Sequence, residues 1–166
     1  MEKYRRAGEI ARKVREEMKH FVREGMLKIE VCEKAEGLIR QEGGQPAFPC
    51  NVSVNEVAAH YTSPPDDRSV IPQNSLVKVD VGVHVDGYIA DTAATVCFHP
   101  ELENLVRTAE EALKTAVKTV QADMSTSKLG SAIQKAIQTY GCKPISNLTG
   151  HQVGRYMIHT GKSIPN

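Results

Sequence analysis

Residues 76–98 constrain this chain more than any other stretch. Val77, Val79, Val81, Val83 and Val85 alternate with Lys78, Asp80, Gly82 and His84, which predicts a strand with one apolar face. Asp86-Gly87 follows, the strongest short hairpin signal, because both residues tolerate the positive φ of a two-residue turn. Tyr88 to Phe98 then returns as a second extended run. On one face of the hairpin the five valines meet Tyr88, Ala90, Thr92, Ala94 and Val96, and that face is the expected core.

Helices should cover it. Ala7, Ile10, Ala11, Val14, Met18, Phe21 and Val22 recur at helical spacing and predict a helix over 3–23. A second covers 28–41 and stops at Gly43-Gly44. Residues 45–75 hold five of the eight prolines and read as loop, with short extended pieces at Asn51–Val54 and Val57–Tyr61. Two more helices are expected over 101–122 and 128–140. The first has an inward stripe from Leu102 to Val120; the second is capped by Ser125 or Thr126 and ended by Gly141. Residues 144–166 read as irregular or extended. Hairpins grouped apart from helices indicate an α+β domain with a mostly antiparallel sheet. At 166 residues and 40% hydrophobic, the chain can bury a core without staples.

Composition excludes several classes. Twenty-one Lys and Arg against 20 Asp and Glu leave a formal charge of +1, without the clustered positive excess of a nucleic-acid binder. The absence of Trp, with only three Phe and five Tyr, argues against a base-stacking platform. No apolar run approaches the ~18 residues of a membrane span. The start is charged and amphipathic rather than signal-peptide-like, so a cytoplasmic location is expected. Cys32, Cys50, Cys97 and Cys142 form no C-x-x-C pair and read as reduced packing residues.

The hairpin's other face carries the chemistry. If Asp86-Gly87 is a two-residue turn, Gly82 pairs with Asp91 and Asp80 with Ala93. Asp80 and Asp91 are then diagonal neighbours on one face, ~7–8 Å apart at the backbone. A four-residue loop keeps this pairing, whereas a three-residue loop puts the carboxylates on opposite faces. Converging carboxylates repel, so one takes up a proton or a cation sits between them. The alternative is a pair of solvated aspartates on an exposed sheet face. Two histidines add weight: His151 stands between Gly150 and Gly154, and His159 follows in Tyr156-Met157-Ile158-His159-Thr160-Gly161. Aspartate with histidine is a ligand set for first-row divalent metals.

Three segments resemble the methionine aminopeptidase family. Ala47-Phe48-Pro49 through Asn55-Glu56-Val57-Ala58-Ala59-His60-Tyr61-Thr62-Ser63 is similar to its substrate segment. Val79-Asp80-Val81-Gly82 with Gly87-Tyr88-Ile89-Ala90-Asp91-Thr92-Ala93 is similar to its metal-binding hairpin. Gly150-His151-Gln152-Val153-Gly154-Arg155-Tyr156 with Ile158-His159-Thr160-Gly161-Lys162 is similar to its histidine segment. The wording around His60 and His159 resembles the type 2 branch of archaea and eukaryotes.

The resemblance implies a pita-bread fold, an antiparallel sheet covered by helices. It also implies two divalent metal ions (Co, Mn, Fe or Zn) and removal of the initiator methionine when the second residue is small. Asp80, Asp91 and His151 match metal ligands, with Asp91 bridging. His60 and His159 match catalytic and substrate-contacting histidines, and Phe48 and Ile158 match walls of the methionine pocket. The family's two glutamate ligands lie in its C-terminal half, and no Glu of this chain matches them. Residues 1–166 therefore read as the N-terminal half of a pita-bread catalytic domain plus the start of the second half, expected to be inactive alone. The implied partner is the N-terminus of a nascent polypeptide, with ribosome contact admitted, no nucleic acid or membrane bound directly, and a monomer when complete. The rival readings are a proline-specific pita-bread peptidase and a non-catalytic pita-bread binding module.

Overall fold

A computed structural model supplies the structure, which describes residues 1–165. The elements in chain order are α1 (Glu2–Phe21), α2 (Lys28–Gln41), β1 (Gln45–Val54), β2 (Leu76–Val85), β3 (Tyr88–Cys97), α3 (Glu103–Thr119), α4 (Thr126–Thr139), β4 (Gly150–Gly154) and β5 (Met157–Ile164). A single 3₁₀ turn, Pro100–Leu102, leads into α3. The chain forms two compact units: Met1–Pro100 with Gly154–Ile158, and Glu101–Val153 with His159 onward.

In the first unit β1, β2 and β3 form an antiparallel sheet in that order. The turn between β2 and β3 holds Asp86 at φ 50° and Gly87 at φ 83°, the two positive angles of a type I′ turn. Val85 pairs with Tyr88, Gly82 with Asp91 and Asp80 with Ala93, as the two-residue turn requires. Val77, Val79, Val81 and Val83 are all buried. They pack with Ile10, Val14 and Met18 of α1 and with Val31 and Ile39 of α2. The helices cover the valine face because their apolar stripes match it, and burying each such side chain contributes roughly 1.5–3 kcal/mol.

The ends of α2 follow from local chemistry. Glu30 accepts the Leu27 N–H at 3.0 Å, half of a capping box. At the other end Gly43 has φ 84°, its N–H reaches Arg40 O, and the Gly44 N–H reaches Ile39 O. That pair of bonds is the Schellman arrangement, which needs a residue at ease with positive φ. The expected loop over 45–75 is corrected at its start. Gln45–Val54 is one ten-residue strand, with register irregularities between Pro46 and Phe48 and between Phe48 and Asn51. The prolines fit there because the strand lies at the sheet's edge. Val57–Tyr61 is not a strand.

In the second unit α3 packs against α4, and β4 pairs with β5. Residues 144–149 are irregular and 150–164 are largely strand. The α3 stripe does not face inward as its periodicity suggested. Thr108 and Ala112 are the buried positions, while Leu105, Leu113, Val117 and Val120 are exposed. Among the described residues no helix is long and apolar enough to cross a membrane.

Candidate functional site

Strand alternation puts Lys78, Asp80, Gly82 and His84 on the face opposite the buried valines. Asp80 is half-buried and Asp91, diagonally across, is exposed. One oxygen of Asp80, Oδ1, is buried without a hydrogen-bond partner among the described residues. Burial first, then the negative charge of Asp91 and a hydrogen bond between the two carboxyls, pushes the Asp80 carboxyl up to about 7. A carboxylate held this way is costly when ionised and unpaired. The pair suits a divalent cation, which would replace the proton and engage the orphaned oxygen.

Phe48 completes this surface. It pairs with Gly82 across the sheet, and a Cβ placed on Gly82 would lie 2.2 Å from the phenyl ring. Glycine at 82 is therefore what lets the ring lie flat on β2 beside the two carboxylates. The empty position opposite Asp91 is occupied by an aromatic side chain rather than left open.

His60 is exposed and has φ 67° in the loop that follows β1. The second unit holds His151 and His159 on adjacent strands, with ring centroids 4.2 Å apart and an interplanar angle of 65°. His151 is half-buried and His159 exposed. Ile158 is half-buried and belongs with the first unit. Thus Asp80 and Asp91 are brought together, as are His151 and His159. Among the described residues no set of three His, Cys, Asp or Glu side chains is gathered as a metal cage.

Some supporting residues were not singled out in the sequence. His84 accepts the Gly87 N–H at Nδ1 (3.1 Å) and stacks edge-on against Tyr156. Tyr156 donates its N–H to Gly87 O at 2.8 Å, and its ring lies where a Gly87 side chain would be. Arg155 Nε donates to Asp86 O at 3.0 Å. Asp67 gathers four donors in the loop after His60; the only sequence signal was Asp67-x-Ser69, the spacing of an Asx turn.

The sequence and the fold have counterparts in known proteins. A methionine aminopeptidase of Methanocaldococcus jannaschii is 50% identical over 165 residues, 99% of this chain and 56% of that protein. One from Methanothermus fervidus is 45% identical over 181 residues and is 95% covered. The crystal structure of methionine aminopeptidase from Thermotoga maritima superposes with a TM-score of 0.90 at 27% identity, over 99% of this chain and 70% of that one. This shows the pita-bread architecture, of which the chain carries part. The chain spans about half the length of the first curated relatives it matches, 56% for the M. jannaschii protein. The model of Metallopeptidase family M24, a family of metal-dependent peptidases, matches residues 2–166, and the chain belongs to that family.

Proposed function

We propose that this protein removes the N-terminal methionine from nascent polypeptides whose second residue is small, by hydrolysis assisted by two divalent metal ions (Co, Mn, Fe or Zn). Residues 1–166 are the first half of the catalytic domain and the start of the second. The observation that carries the metal part is the Asp80–Asp91 pair, with one carboxyl oxygen buried and unsatisfied and Asp80 raised to about 7. Asp80, Asp91 and His151 would hold the metals, Asp91 in the bridging role that the family resemblance implies. Bound ions of this kind supply an acidified water and a polarised scissile carbonyl. His60 and His159 contact the substrate and steady the charge that develops on its carbonyl oxygen. Phe48, seated on Gly82, and Ile158 form apolar walls for the methionine side chain.

Methionine is favoured over proline because the Asn55–His60 segment and the M. jannaschii relative, at 50% identity, both speak for it. The test is titration of polypeptide 1–166 with Mn or Co by calorimetry, alongside Met-Ala-Ser and Xaa-Pro hydrolysis. The expected result is weak divalent-metal binding that Asp91→Ala abolishes. Hydrolysis is expected only when the sequence is extended to supply the two glutamates, and then for Met-Ala-Ser and not Xaa-Pro. Undiminished metal binding by Asp91→Ala would refute the bridging assignment.

A further inference from the structure

We infer that Asp67 is a positioning residue that sets the place of His60. This rests on the reading of His60 as a substrate contact. The backbone leaves β1 at Val54 and turns at Asn55, which has φ 52°. Asn55 Oδ1 accepts the Leu76 N–H at 2.9 Å, and Lys78 Nζ donates to Asn55 O at 3.1 Å. The chain comes back along the outer edge of β1. The Val52 N–H donates to Tyr61 O at 2.7 Å, and Thr62 Oγ1 donates to Cys50 O at 2.9 Å. His60 lies between these anchors in a left-handed conformation that an L-residue adopts only when its surroundings enforce it. Its exposed ring takes its direction from that backbone.

The downstream anchor is built on Asp67. Its Oδ2 accepts from Tyr61 Oη at 2.8 Å, Ser63 Oγ at 2.5 Å and Ser69 Oγ at 2.9 Å. Its Oδ1 accepts the Ser69 N–H at 2.7 Å. Four donors saturate a carboxylate's capacity, so Asp67 has one geometry and imposes it on all three partners. The same donors hold the Asp67 carboxyl below the usual carboxylate range, Ser63 first. The loop is tied in turn to α2: the Lys28 N–H donates to Ser69 O at 3.0 Å, and the Lys28 ammonium lies 4.4 Å from the Tyr61 ring centre. Because Tyr61 is bonded to Val52 through its backbone and to Asp67 through its phenol, the residue immediately after His60 is held at both ends.

The experiment uses the 166-residue chain. Amide exchange and the His60 ring resonances are followed by NMR in wild type, Asp67→Ala, Tyr61→Phe and Ser63→Ala. In Asp67→Ala, exchange at Val52 and Tyr61 is expected to accelerate about tenfold or more, while Val79 and Val81 stay within about twofold. The His60 ring resonance is expected to move toward that of an unstructured peptide. Tyr61→Phe and Ser63→Ala, which each remove one donor, should show the same pattern to a smaller extent. Unchanged exchange at Val52 and Tyr61 overturns the inference, as does equal acceleration throughout the core, which would mark Asp67 as a general stabiliser. These readouts need no turnover. Added Met-Ala-Ser tests the underlying reading separately: a wild-type His60 ring indifferent to peptide and metal removes its substrate role and leaves the clamp to be judged by exchange.

Discussion

Asp80 shows how burial turns one carboxyl into a liability once it ionises. Its carboxyl is raised from an ordinary 3.8 to about 7, so the folded chain holds that proton more tightly than the unfolded chain does. The stabilisation is complete below about pH 4 and is lost as pH rises through about 7. In the presence of EDTA the protein should therefore lose on the order of 1–3 kcal/mol between pH 5 and pH 8 on account of this group, less than the full shift implies because Asp80 is only partly shielded. Asp80→Asn should flatten that slope and stabilise the metal-free protein at pH 8. Urea unfolding at the two pH values decides it; identical slopes for the variant and wild type would remove the buried-carboxyl account. The two aspartates were legible from spacing and turn type, since alternation fixes which residues share a face. The saturation of Asp67 was not, because Tyr61, Ser63 and Ser69 converge on it only once the loop is folded.

At the scale of elements, the hairpin depends on the turn that joins β2 and β3. Gly87 combines φ 83° with the Tyr156 ring 2.4 Å from where its Cβ would be. Gly87→Ala should cost about 1–3 kcal/mol, from backbone strain together with displacement of Tyr156. Chemical denaturation measures this, and loss of the His84–Tyr156 ring contact in aromatic NMR spectra should accompany it. A cost near zero would mean that the turn tolerates a side chain and that Tyr156 is not seated on it. The strand periods, the helix stops at Gly43 and Gly141 and the hairpin register were readable because each is set by neighbours within a few residues. The length of β1 was not. Two prolines in a glutamine-to-valine stretch of mixed polarity look like loop, and only pairing with β2 along its length makes Gln45–Val54 a strand.

For the whole molecule, apolar surface is the deciding quantity. Leu113 and Val117 are 59% and 67% exposed on α3, and Leu105 and Val120 extend the same stripe. A row of large apolar side chains in water favours association. Polypeptide 1–166 is expected to self-associate with concentration in size-exclusion chromatography and sedimentation, and Leu113→Lys with Val117→Glu should shift it toward monomer. A monodisperse monomer at high concentration would show that the stripe is tolerated in water.

The sequence by itself determined the α+β class, the hairpin and its carboxylate pair, and the family motifs. All of these are written in local periodicity, turn chemistry and short-range spacing. Tertiary structure decided which face of α3 is buried, that Phe48 lies on Gly82, and that Asp80 is the carboxyl lifted toward neutrality. Those depend on burial and on contacts between residues distant along the chain. An apolar stripe or an aspartate carries no mark of whether water or protein will surround it.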